Sequence, residues 1–205
     1  MTSGGWFSFV SYNFAHMKFA QQVFLACLSL LLSINSFAQT SLPDADKSPL
    51  DVSYYPVNYP LLKIQNKTPE PPVARIIYSR PKREGRPIFG NLVEYGKLWR
   101  LGANEATELE FYKPVTIAGK KIPKGRYTLY AIVKEKFWTI IINKETDIWG
   151  SFKYNQAKDV VRVEVPVETL AETAEMLCMT FEKNRENFNL IIAWENIKVA
   201  VPIQP

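Results

Sequence analysis

The chain has 205 residues, 47% of them hydrophobic, 22% charged and 13% aromatic, with a formal net charge of +5. That is the composition of a globular protein holding one ordinary domain or two small ones. Its only histidine, His16, and one of its two cysteines, Cys27, fall in an apolar N-terminal stretch; without that stretch no histidine and one thiol remain, which excludes a Ser-His-Asp triad, His-bearing zinc sites, a two-His facial triad and an internal disulfide.

From Met17 the order is Lys18, an apolar run from Val23 to Leu32, and Ser36-Phe-Ala38 before Gln39. A basic residue, about ten apolar residues and small residues at the two positions read by a signal peptidase make a secretory signal. The run falls short of the ~20 residues a membrane-spanning helix needs, and no later segment replaces it, so no stable membrane span is expected. Residues 1–16 lack a basic n-region, which makes Met17 the expected start and residues 1–16 an upstream extension. Phe24-Leu-Ala-Cys27 loosely resembles a lipid-attachment box, but apolar residues continue for five positions past the cysteine, where a lipoprotein signal would end. No anchor at Cys27 is expected. Cleavage after Ala38 leaves 167 residues carrying 24 basic and 20 acidic side chains, or +4. The reading is an exported protein, periplasmic or secreted, for which nucleic acid is not an expected partner and the mild charge bears on solubility.

Seven of the fourteen prolines lie between Pro43 and Pro72, so residues 39–72 read as an extended, Pro-rich lead-in with few helical options. Its stretch from Pro49 to Ile64 is too apolar for a tether and is expected to lie along the domain surface or to add an edge strand. From residue 73 to 205 the pattern is that of strands: 73–79, 107–112, 115–118, 126–133, 137–143, 160–165, 176–181, 189–194 and 197–203. They are β-branched or aromatic and separated by turn signals such as Ala118-Gly-Lys120 and Lys183-Asn-Arg185. About nine short strands with tight connections predict an all-β fold, an antiparallel β-sandwich with a β-barrel as the alternative.

Two stretches break the strand pattern, residues 80–106 and 144–159. Long connections on a rigid β scaffold are where binding groups gather. In the first, Arg80, Lys82, Arg83 and Arg86 form a local anion-binding patch or a solvated, edge-protecting turn. Trp99, Arg100, Asn104 and Glu105 make the densest polar and aromatic cluster. Strand parity puts Glu105 on the inward face with Thr107, Leu109 and Phe111, where it needs Arg100 or Arg80 as partner. The second stretch adds Asn143, Asp147, Trp149, Tyr154 and Asn155. Together Arg80, Trp99, Arg100, Asn104, Glu105, Asn143 and Trp149 are the expected ligand-binding residues, with one cleft lined by Trp99, Arg100, Asn104, Glu105 and Trp149. The competing reading makes the same groups a structural clamp and the tryptophans core and rim packing.

Catalytic options are few. Glu105 with Asp147 or Asp159 could serve as acid and base in glycoside hydrolysis, which needs no histidine. Gly90-Asn-Leu-Val-Glu-Tyr-Gly-Lys97 has five residues between its glycines instead of four, and Leu98 stands where a P-loop needs a hydroxyl. Cys178, without a histidine to activate it, reads as a small apolar group. No Asp-x-Asp-x-Asp calcium loop is present. No cofactor and no metal site is expected.

The segments Ala74-Arg-Ile-Ile-Tyr-Ser-Arg-Pro81, Trp99-Arg-Leu-Gly-Ala-Asn-Glu-Ala-Thr107, Gly125-Arg-Tyr-Thr-Leu-Tyr-Ala-Ile132 and Trp138-Thr-Ile-Ile-Ile-Asn-Lys144 resemble an uncharacterised secreted bacterial family, a domain of unknown function. The resemblance covers about residues 50–203. It implies export and a β-rich domain and carries no activity or catalytic residue. The expected function is therefore a non-catalytic binding module for a small polar, carbohydrate-like or peptide ligand. A carboxylate-dependent glycoside hydrolase and a structural or assembly component with an envelope-protein partner are the alternatives.

Overall fold

The computed structural model describes residues 42–68 and 71–205, with Gln21, Gln22 and Phe24. The export signal over residues 1–38, the start at Met17 and Cys27 lie outside the described residues, apart from those three helical positions. The chain divides into two compact units, Met1–Asp44 and Ala45–Pro205, and everything below concerns the second.

That unit is all-β and antiparallel. In chain order it holds β1 (Leu50–Tyr55), a short helix α1 (Tyr59–Ile64), β2 (Ala74–Ser79), β3 (Leu98–Trp99), β4 (Glu108–Phe111), β5 (Val115–Ile117) and β6 (Lys120–Ile122). Then follow β7 (Gly125–Val133), β8 (Phe137–Asn143), β9 (Asp159–Pro166), β10 (Glu168–Asn184) and β11 (Asn187–Ile203). The main sheet runs β1-β2-β4-β7-β8-β9, with β3 also on β7; β10 pairs β11, and β5 pairs β6. β1 and β9 remain edges, so the sheet does not close into a barrel.

Period-2 alternation decides which faces pack. Ala74, Ile76 and Tyr78 of β2 and Leu109 and Phe111 of β4 turn inward. From the long hairpin Leu177, Met179, Phe181, Phe188, Leu190 and Ile192 join the same buried cluster, so main sheet and hairpin are two layers around one core. Tyr55 of β1 stacks on Phe188 with ring centroids 4.0 Å apart, and Ser53 Oγ donates to the Met179 carbonyl at 2.8 Å. The apolar part of the Pro-rich lead-in thereby becomes an edge strand of the sheet. Between β5 and β6, Ala118 and Gly119 both have positive φ, 49° and 74°, the two-residue turn whose twist suits a hairpin.

The structure departs from the expected elements at α1, β3, β6, β10 and β11, β10 running from Glu168 to Asn184 where 176–181 is expected. The strands expected at 189–194 and 197–203 are one strand, because Glu195 takes φ 56° and the ladder shifts register between Thr169 and Cys178; Glu195-Asn196 is an irregularity inside β11 and not a turn. α1 forms in a stretch read as non-helical, since its proline stands in the first turn, where no intrahelical N–H is required. β3 and β6 are too short to show a period. Cys178, expected to be buried, is half-buried on β10 opposite Ala193.

The two-layer packing predicts a contrast. Phe188→Ala is expected to lower unfolding free energy by about 3–5 kcal/mol, whereas Val52→Ala, on the exposed side of β1, should change it by less than about 0.5 kcal/mol. Urea titration of both variants checks it, and equal losses would refute this layering.

Candidate functional site

The long connection from β2 to β4 is held at its start by charge and backbone. Arg80 Nη1 pairs with Asp51 at 3.0 Å, its Nε donates to the Leu177 carbonyl, and its backbone N–H donates to the Pro49 carbonyl. Arg83 N–H donates to the Glu175 carbonyl, and Leu177 N–H to the Pro81 carbonyl. Arg86 folds back on the carbonyls of Arg83 and Lys82. The basic run is therefore sewn largely onto β1 and β10, leaving the Lys82 and Arg86 side chains on a cavity wall.

Trp99 ends the connection's free course. Its ring meets Trp138 edge-on at 5.9 Å, stacks near Trp194 at 6.0 Å, and contacts Phe89, which itself lies 5.0 Å from Trp138. The indole N–H donates to the Gly102 carbonyl at 3.2 Å. Beyond it the backbone makes a tight clasp. Leu101 and Asn104 take positive φ, Thr107 Oγ1 donates to the Leu101 carbonyl at 2.6 Å, and Ser79 Oγ both accepts from Ala103 N–H and donates to the Ala103 carbonyl. A Cβ on Gly102 would stand 2.6 Å from that Ser79 oxygen, so the clasp needs glycine there.

Arg100, between the tryptophan and the clasp, lines a cavity of about 450 Å³ with Trp99, Trp194, Lys47, Lys82 and Arg86. Its Nε is sealed from solvent without a hydrogen-bond partner among the described residues. Burial pushes its guanidinium below the usual arginine range, because a desolvated cation lacks its hydration. The wall opposite comes from the segment before β1. Asn104 Nδ2 donates to Asp46 at 3.0 Å, and Ser48 N–H bonds the same carboxylate.

A second cavity, of about 430 Å³, opens beside the second loop and is lined by Glu105, Glu108, Asp147, Trp149, Tyr78 and Leu50, among others. Ala106 N–H donates to the Ile148 carbonyl and Gly150 N–H to the Asn104 carbonyl, fastening the two loops to each other. Trp149, 62% exposed, stacks on Phe152, 83% exposed, at 5.9 Å. Asp147 and Glu108 both accept from Arg126, and that bond holds the Asp147 carboxyl below the usual carboxylate range.

The residues expected to share one cleft are thus divided. Trp99 and Arg100 face the first cavity, Glu105, Asp147 and Trp149 the second, and Asn104 ties the strap at Asp46. Glu105 is exposed instead of inward. β4 begins only at Glu108 and Glu105 bridges Trp149, so the strand parity does not reach it, and the Arg–Glu clamp is replaced by Arg80–Asp51. Asn143 is buried and fully engaged, donating to the Asn155 carbonyl and Asp159 and accepting from Glu145 N–H. Asp159 also accepts from Tyr154 and Arg162. Among the described residues no three His, Cys, Asp or Glu side chains gather as a metal site. Sequence reasoning missed Lys47 and Ser48, hidden in the Pro-rich lead-in, and Trp194, read only as part of a central strand.

A family described as "Protein of unknown function (DUF2911)" has a sequence model that matches residues 62–203. The chain belongs to this family. No curated protein and no solved structure matches it. The DUF2911 match takes in Trp99, Arg100 and the clasp, as well as both loops, but begins after Lys47 and Ser48 of the strap.

Two outcomes follow from these contacts. Asn143→Ala leaves the Asn155 carbonyl, Asp159 and Glu145 N–H without their bonds and should cost about 2–3 kcal/mol in denaturant unfolding. Burial raises the Tyr78 hydroxyl from 10.0 to about 12. The folded state thus holds that proton more tightly, so its stabilisation is complete below pH 10 and falls away as pH rises toward 12. Thermal unfolding followed from pH 9 to 12 should show this loss, and Tyr78→Phe should make it shallower.

Proposed function

We propose that the protein is an exported binding module for a small polar ligand, carbohydrate-like or peptide, held in the cavity between Arg100, Trp99 and the strap at Lys47. The observation that carries this reading is Arg100, which lines a cavity and meets no charged partner among the described residues. A structural arginine in this position would be ion-paired, as Arg80 and Arg162 are and as Arg75 is through Nη2 although its own Nε is unpartnered, since an uncompensated buried charge costs stability. The volume of about 450 Å³ falls in the range of small-molecule sites. Backbone strain at Leu101 and Asn104, φ 56° and 57°, adds support, because such conformations concentrate at ligand clamps. Export rests on Lys18, the apolar run to Leu32 and Ser36-Phe-Ala38.

Hydrolysis of glycosides fits the second cavity less well. Such a reaction needs one carboxyl able to give up a proton at neutral pH; of the candidates Glu105, Asp147 and Asp159, Asp147 is bonded to Arg126, which holds its carboxyl below the usual carboxylate range, and Asp159 accepts from Asn143, Tyr154 and Arg162 outside this cavity. A binding role asks nothing of their protonation.

A thermal-shift screen of the chain from Gln39 against glycans, peptides and divalent metals tests the reading. A ligand at about a hundred times its Kd adds about 2.7 kcal/mol to native-state stability, or a rise in Tm of about 5–10 °C for a chain of this length. A flat response to all three classes would overturn it in favour of a structural or assembly role in the envelope.

A further inference from the structure

We infer that the Arg100 cavity takes a small organic acid, whose oxyanion sits between the Arg100 guanidinium and Lys47 while its remaining body lies toward Leu92 and Trp99; this rests on the binding reading above.

The charge of the lining gives the first argument. Lys47, Lys82, Arg86 and Arg100 face the cavity against a single carboxylate, Glu84. Glu84 stands 3.8 Å from Arg86 Nη2, and Arg86 gives Nε to the Arg83 carbonyl and that same Nη2 to the Lys82 carbonyl, so the one carboxylate offsets the charge of Arg86. Lys47, Lys82 and Arg100 are then the cations left to meet a ligand. A neutral ligand would leave their excess charge uncompensated, whereas an anion removes it in a partly desolvated place where pairing is strong.

The second argument is geometric. With Nε sealed off, Arg100 can offer only its two terminal nitrogens, a fork that matches the paired oxygens of a carboxylate or a phosphate ester. The root of the Arg100 side chain is held, because its Nε is buried, Trp99 before it is packed among Trp138, Trp194 and Phe89, and the clasp after it is bonded through Ser79 and Thr107. Lys47 reaches the same space because its strap is tied on both sides, by Asp46 to Asn104 and by the Pro49 carbonyl to Arg80 N–H. The apolar part of the lining, chiefly Leu92 with the edges of Val93 and Trp99, suits a sugar ring or a short hydrocarbon body better than a bare inorganic ion. A volume of about 450 Å³ limits the ligand to the size of a monosaccharide or a modified amino acid.

Calorimetric titration of the chain from Gln39 with glucuronate, glucose 6-phosphate and hippurate, each beside its neutral counterpart glucose or hippuramide, tests the inference. At least one acid is expected to bind at least tenfold tighter than its neutral counterpart. Which acid binds separates a carboxylate from a phosphate ester. Arg100→Gln should weaken that acid by about thirtyfold or more, and Lys47→Ala, on an exposed strap, by about threefold. Arg100→Gln removes a cation without a counter-ion, so its thermal unfolding should be no lower than that of the parent, which separates lost binding from lost fold. If glycans or peptides shift the protein in the screen but no acid outbinds its neutral counterpart, the inference fails and the binding reading stands; if Arg100→Gln leaves acid binding unchanged, the ligand lies elsewhere and both the inference and the placement in this cavity fail. If nothing in either panel binds, the inference and the binding reading both fail.

Discussion

The fold around the site depends on one cluster of rings. Phe89, Trp99, Trp138 and Trp194 come from the long connection, β3, β8 and β11, elements far apart in the chain. Large aromatic groups bury much area and prefer edge-on or offset contacts, so a set of four restricts its members more tightly than aliphatic side chains would. Here the set joins the main sheet, the hairpin layer and the irregular connection at one place. The connection is therefore not a loose excursion. It is anchored twice, at Phe89 and at Trp99, and the residues after Trp99 inherit that fixed position.

Fixing Trp99 has an electrostatic result. Arg100 follows it directly, and the acid that strand parity would have supplied, Glu105, is at the other cavity, while Asp51 is taken by Arg80. Polar satisfaction in the rest of the connection is close to complete, through the Ser79–Ala103 clasp, the Thr107–Leu101 bond and the Trp99–Gly102 bond. Arg100 differs in lacking an ion pair among the described residues while it lines a cavity, since unpartnered buried nitrogens also occur at Arg75 and Trp138. The packing requirement and the proposed binding role thus rest on the same short run of sequence.

Much of this was legible in the residues. The all-β class followed from period-2 alternation, and most strands of the main sheet fall within a residue or two of where the pattern puts them, β8 at its own bounds. Both irregular stretches were visible as breaks in that pattern. What the pattern misjudged were positions governed by a single residue's backbone: Glu195 continuing a strand through a positive φ, and Pro60 opening a helix. At the site, Trp99 and Arg100 could be singled out by composition, but their neighbours could not. Lys47 and Trp194 lie roughly fifty residues before and a hundred after them, and such pairings arise only from tertiary packing. Extending parity from Thr107 back to Glu105 failed for a related reason, since two positive-φ residues and the Ser79 clasp decouple that stretch from the ladder.

The fastening of the two loops has a consequence for variation in the family. Ala106 N–H with the Ile148 carbonyl, and Gly150 N–H with the Asn104 carbonyl, make residues 104–106 and 148–150 a short ladder outside the sheet. An insertion in either partner would slide that ladder, and sliding it would drag Asn104 off Asp46 and unseat the strap. The lengths of these two loops are consequently not free to drift apart. A graft onto another β scaffold would have to carry both loops and the strap as one unit, and paired length changes in other members of the family would be the trace of that constraint.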